Sequence, residues 1–338
     1  MMKLTLKDIQ KITLGAERVE ETDGVIRFYR FTKEQEELYK EYNPDFSYQI
    51  SATAGIRLSF VTDSRTLSLK GDLFRASARG YYSMEIFADK ERIGCINNFH
   101  GQDMTGIYYT YSGPELDFNE KYDLGEGKKV IDIYLPWSAG IALEEIAVDD
   151  DAFIESVKRD KKLLAFGDSI TQGYDALYPS KRYASLLAEA MGAEEYNKAI
   201  GGDVFFPKLA KSKETFVPDY ITAAYGTNDW NKLTKEEFEK NCKEFYESLS
   251  KNYPSSKIFA ISPIWRKEEN EEKPVGKFSF VENYIKETVA SLYNVTFISG
   301  YDLVPHDESY FADLVLHPND KGFGKQAESL YQKIERYL

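Results

Sequence analysis

Leu163-Leu164-Ala165-Phe166-Gly167-Asp168-Ser169-Ile170-Thr171-Gln172-Gly173 opens the second half of the chain. Four apolar residues run straight into a glycine, an acid and a hydroxyl. So short an apolar run, bounded by glycine, is expected to be a strand buried on both faces. Tyr220-Ile221-Thr222-Ala223-Ala224-Tyr225 and Ile258-Phe259-Ala260-Ile261 repeat the pattern. Between and after them the apolar residues take helical spacing, over Tyr183 to Met191, Lys235 to Asn252, Val281 to Tyr293 and Gly324 to Leu338. Thr234 with Glu237, and Ser279 with Glu282, have capping-box spacing at two of the helix starts. Strand and helix in alternation predict a doubly wound parallel sheet whose ligands bind at the carboxyl ends of the strands.

Upstream the period changes to two. Val25 to Phe31, Ile56 to Val61, Leu67 to Leu69, Tyr82 to Phe87 and Val130 to Leu135 alternate apolar and polar residues, with turn-like segments such as Thr62-Asp63-Ser64 and Gly125-Glu126-Gly127 between them. This spacing predicts an all-β half, a sandwich or jelly roll. The chain is therefore divided at Val148-Asp149-Asp150-Asp151: residues 1–155 a β-sandwich, residues 156–338 an α/β domain. Its 338 residues are enough for two cores.

Each buried strand leads to residues that carry chemistry. The first exits into Gly167-Asp168-Ser169; Tyr196-Asn197-Lys198-Ala199-Ile200 exits into Gly201-Gly202-Asp203; the next exits into Gly226-Thr227-Asn228-Asp229. His317 lies in Leu316-His317-Pro318-Asn319-Asp320, just before the last helix. A hydroxyl, a glycine N–H, a side-chain amide and an imidazole at one rim are the parts for acyl transfer. Imidazole titrates near pH ~6.5, so it can take the serine proton and return it to a leaving alkoxide. Trp230 and Trp265 fall at the same strand ends, where an aromatic face would stack on a sugar or shape the pocket.

These four blocks, in this order, resemble those of the SGNH (GDSL) hydrolase superfamily over residues 160–338. The resemblance implies a flavodoxin-like three-layer α/β/α domain, with Ser169 as nucleophile and His317 as general base. It places Ser169, Gly202 and Asn228 in the oxyanion hole. The family sets the orienting acid three residues before the histidine, where this chain has Leu314; Asp313, one residue earlier, is the expected acid, with a backbone carbonyl as the alternative. A jelly-roll sandwich followed by such a domain is similar to carbohydrate esterase family two, which implies removal of acetyl groups from carbohydrates. The rivals are a lysophospholipase or thioesterase using the same parts, and a glycan-binding protein with an idle second half.

Composition narrows the partners. A net charge of −13 repels nucleic-acid backbones and anionic membranes. Met1 to Asp8 mixes acids with bases and has no apolar core, unlike a secretory signal. Cys95 and Cys242, far apart in the chain, suit a reducing cytoplasm. No paired-histidine or C-x-x-C spacing suggests a metal, and Gly322 to Ala327 fits a dinucleotide pattern only as text, so no cofactor is expected. The expected partner is a small-molecule or oligosaccharide ester, with neither nucleic acid nor membrane.

Overall fold

The computed structural model describes residues 1–338. Its first half holds two antiparallel sheets of six strands each. One has the spatial order Arg18–Thr22, Val25–Tyr29, Ala139–Val148, Thr66–Arg75 and Leu116–Asp123, with Met2–Lys3 beside Ala139–Val148. The other runs Ile154–Ser156, Arg57–Thr62, Lys129–Tyr134, Ser83–Ala88 and Glu91–Asn97, with Thr13–Leu14 beside Arg57–Thr62. The period of two does what it predicts. Leu67, Leu69 and Leu73 from one sheet and Ile131 and Ile133 from the other point inward and share one apolar core.

The second half is a five-stranded parallel sheet in the order Ala193–Asn197, Lys161–Gly167, Tyr220–Ala224, Lys257–Ile261, Val295–Ile298. This is the flavodoxin-like doubly wound order, with the switch point beside the strand that ends in Gly167. Helices Tyr183–Ala190 and Asp320–Ile334 cover one face; Lys235–Asn252 and Phe278–Val289 cover the other. Gly167 pairs with Ala224, and Ala165 with Asn197, so the loops that leave these strands emerge side by side.

Three local readings change. Thr234 and Glu237 form the expected capping box, but Ser279 does not cap: the helix starts at Phe278, and Glu282 bonds Ser262 and Ser299 instead. The last helix begins at Asp320 rather than Gly324, capped by the Asn319 side chain on Gly322 N–H. The first half is also not purely β, because it contains helices Leu6–Ile12, Lys33–Tyr42 and Phe46–Gln49.

Two of those helices, and a loop, leave the sandwich altogether. Phe31, Tyr39, Phe46 and Ile50 belong to the core on one face of the parallel sheet; Tyr81, Phe99, Met104, Tyr108 and Trp137 belong to the core on the other. Buried Arg30 adds polar ties, donating to the carbonyls of Ala52 at 2.6 Å and Ala199 at 2.7 Å. The first half thus wraps both sides of the α/β layer and reaches the rim where its loops emerge.

Candidate active site

Gly167 ends its strand with no side chain because Thr171 packs there: an added Cβ would lie 2.2 Å from Thr171 Oγ1. The chain then turns into a one-turn helix, Ser169–Gln172. Asp168 caps it, accepting from Ile170 N–H at 2.9 Å, and Gly173 ends it at φ 109. Ser169 is the first residue of that turn, so its N–H has no partner within the helix. Gln172 ties this turn to its neighbours, accepting from Gly201 N–H at 2.8 Å and donating to the Trp137 carbonyl at 3.0 Å.

Ser169 Oγ lies 2.9 Å from His317 Nε2. On the far side of the ring, Nδ1 lies 2.7 Å from Asp313 Oδ2. The other oxygen of Asp313 accepts three backbone N–H groups, from Val315 at 2.9 Å, Leu316 at 2.8 Å and His317 at 3.0 Å. The extra residue between acid and histidine is taken up at Leu314, which adopts the left-handed region at φ 62. Burial works against the Asp313 charge, yet the hydrogen bond and charge of His317 and the N–H groups of Leu316 and Val315 hold its carboxyl well below the ordinary range.

The other expected residues lie on the adjoining loops. Gly202, at φ 85, is half-buried; its carbonyl accepts from Lys232 Nζ at 2.6 Å, and its N–H is unengaged. Asn228 is half-buried too, and Nδ2 donates to the Asp203 carbonyl at 2.9 Å, which ties its loop to that of Gly202. Behind them three carboxyls are shut away from water. Burial pushes Asp168 up to about 6, Asp203 up to about 8 and Asp229 up to about 7, despite the hydrogen bonds each receives.

The tryptophans correct the sequence reading. Trp230 is fully buried, donating to the Gly276 carbonyl at 2.7 Å and packing edge-on against Phe278, so it offers no face to a sugar. The apolar packing that a large ring gains inside the α/β layer outweighs a place at the rim. Trp265 is half-buried and stacks on His306 at 5.5 Å, so that face is already occupied.

Four neighbours of His317 were not foreseen. The Tyr109 hydroxyl lies 3.3 Å from Nδ1 and 3.4 Å from Asp313 Oδ2. Tyr174 stacks on the imidazole at 5.8 Å. Asp175 Oδ2 lies 3.6 Å from Nδ1, and Arg79 binds both oxygens of that carboxylate, at 2.5 and 2.8 Å. Arg79 and Tyr109 come from the sandwich half, and no linear spacing announces them. Asp175, Asp313 and His317 hold ligand atoms within 4.8 Å of one another, but the Arg79 guanidinium already supplies the cation that faces Asp175. Ser169, His317 and Asp313 thus form one hydrogen-bonded line of hydroxyl, imidazole and carboxylate.

Residues 165–324 match the GDSL-like lipase/acylhydrolase family. No curated protein sequence matches the chain. Among solved structures, the chain is similar to the salicylyl-acyltransferase SsfX3 from a tetracycline biosynthetic pathway, with a TM-score of 0.77 and 18% identity over 96% of this chain and 94% of that one. A protein described as a GDSL-like lipase from Bacteroides ovatus gives 0.74 and 20% over 97% and 96%. A family two carbohydrate esterase from Cellvibrio japonicus gives 0.65 and 16% over 97% and 96%. These likenesses run through both halves of the fold. Residues 165–324 form a GDSL-like lipase/acylhydrolase domain, and the chain that carries it is an ester-hydrolysing enzyme.

Proposed function

We propose that the chain hydrolyses short-chain acyl esters, acetyl groups on carbohydrates in particular, through an acyl-enzyme on Ser169. The observation that carries the reading is the unbroken hydrogen-bonded line from Ser169 Oγ through His317 to Asp313. In the first step Ser169 Oγ attacks the ester carbonyl carbon while its proton passes to His317 Nε2. The oxyanion that forms meets the N–H groups of Ser169 and Gly202 and the Asn228 amide. Collapse expels the alkoxide, which takes the proton from Nε2 and leaves as the alcohol. Water then attacks the acyl-enzyme with the same base, and the acid and free Ser169 are released. Asp313 fixes the proton on Nδ1 and balances the charge on the ring during both steps.

Several features support a small acyl group on a polar alcohol. Ser169 and His317 are buried, and the Tyr109 hydroxyl lies 3.3 Å from His317 Nδ1, an enclosed setting that favours a small acyl group. The fold shared with family two carbohydrate esterases supports a carbohydrate ester. The strand order of the two sheets supports reading residues 1–155 as a jelly roll. No helix is long and apolar enough to cross a membrane. Cys95 and Cys242 are unpaired, which fits a cytoplasmic setting.

The test is a series of nitrophenyl esters, together with acetate release from acetylated xylo- and manno-oligosaccharides. We expect kcat/KM to fall at least about tenfold from acetyl to octanoyl, roughly 1.4 kcal/mol of steric exclusion. Equal or better turnover of octanoyl esters, with no acetate released from the oligosaccharides, would overturn the carbohydrate reading.

A further inference from the structure

One imidazole nitrogen faces two carboxylates. His317 Nδ1 is 2.7 Å from Asp313 and 3.6 Å from Asp175. Both acids lie in surroundings where charge is poorly screened, and Asp175 is fully buried. Two uncompensated negative charges beside one ring would favour imidazolium, and a base already protonated at neutral pH cannot accept the serine proton. The chain does not leave Asp175 uncompensated. Arg79 meets it with a two-pronged fork, Nε to Oδ1 at 2.5 Å and Nη2 to Oδ2 at 2.8 Å, with both side chains shielded from water.

The fork is itself held in place. Arg79 N–H donates to Ser77 Oγ at 3.0 Å, and the neighbouring Ala78 N–H donates to the Tyr174 hydroxyl at 3.1 Å. The guanidinium lies 3.7 Å from the centre of the Tyr109 ring and 5.0 Å from that of Tyr174. Each of these aromatic side chains also touches His317.

We infer that Arg79, supplied by the sandwich half, is a positioning residue for His317: it keeps Asp175 charge-balanced, so that Asp313 alone governs where the ring proton sits. The inference rests on the reading of His317 as the general base. The groups that face the ring are then accounted for from every element packed against it: Asp313 on its own loop, Ser169 and Asp168 at the helix start, Tyr174 and Asp175 after it, and Tyr109 and Arg79 from the first half. On this account the sandwich is a working part of the active site, and a mismatch between the halves changes the pH range of the enzyme.

The test compares full-length wild type with Arg79→Met, Asp175→Asn and the double variant. For each, kcat/KM on nitrophenyl acetate is measured from pH ~5 to ~9, and the imidazole resonances are titrated by NMR. His100 and His306 are internal controls, since the chain has only 3 histidines. Arg79→Met is expected to move the acid limb about one pH unit upward, a tenfold loss below the midpoint relative to the alkaline plateau. Asp175→Asn leaves Arg79 unbalanced and is expected to move the limb downward; the double variant returns it towards wild type. A lowered plateau with an unmoved limb in both single variants would mean that the pair is only structural and would overturn the inference. If Arg79→Met does not fold, the near-isosteric Asp175→Asn decides alone, by the direction of its limb and of the His317 resonance. A flat wild-type profile would instead count against the base itself, and so separates the two failures.

Discussion

Replacing Asp313 by asparagine changes one oxygen into a donor, and the loop leaves that amide little choice of orientation. Oδ1 of Asp313 accepts from three backbone N–H groups, while Oδ2 faces His317 Nδ1. If the asparagine keeps its oxygen towards the three N–H groups, its NH₂ faces Nδ1, which must then be the unprotonated nitrogen. The ring proton moves to Nε2, the atom 2.9 Å from Ser169 Oγ, and the base is lost. The flipped amide would set NH₂ against three N–H donors, each costing about 1–3 kcal/mol if left unsatisfied. The first orientation wins by several kcal/mol, so the penalty falls on chemistry and not on folding. Asp175, already bound by Arg79, is not free to take over.

The expected loss in kcat for Asp313→Asn is on the order of 10³–10⁴, or about 4–5.5 kcal/mol of transition-state stabilisation, the scale of the same substitution in serine proteases. It is measured on nitrophenyl acetate, with thermal unfolding run in parallel. An intact variant that loses less than about tenfold would refute the role of Asp313. The Tyr109 hydroxyl, 3.3 Å from Nδ1, would then be the next candidate to orient the ring.

Asn228→Ala is expected to lower kcat by roughly 100-fold, about 3 kcal/mol for one oxyanion donor; a change confined to KM would show that Asn228 binds substrate instead. Asp203 gives a test of stability. Burial raises its carboxyl from 3.8 to about 8, so the folded chain keeps a proton that the unfolded chain releases, and stability falls as pH rises between those values. Asp203→Asn should remove a few kcal/mol of that fall, seen as a shallower decline of the urea midpoint from pH ~5 to ~8. Parallel curves for variant and wild type would contradict this.

The parts of the site that were legible in the sequence are those fixed by local order. Ser169 and Asn228 each follow a strand whose apolar run is easy to read, Gly202 follows the Ala193–Asn197 strand whose two glutamates hide it, and parallel register brings those ends together. Asp313 was readable as an acid near the histidine, but the left-handed turn at Leu314 that lets a four-residue spacing work is a backbone event. Helix Lys33–Tyr42 escaped notice because it buries only Gln35 and Tyr39. Gln35 reaches Ser212 and Glu214 across the junction, so the helix lacks an apolar stripe. Trp230 misled for the opposite reason: its position after a strand suggested the rim, but its ring turns into the core. Arg79, Tyr109 and Asp175 had no local signal, since each matters only through a partner brought from a distant part of the chain.

The most direct test of the account is to quench the enzyme in acid during turnover of nitrophenyl acetate and map the covalent adduct by peptide mass spectrometry. The account predicts one acetyl group on the peptide that carries Ser169, and none in Ser169→Ala. An acetyl group on another residue, or turnover in Ser169→Ala above about a tenth of the wild-type rate, would contradict the central claim.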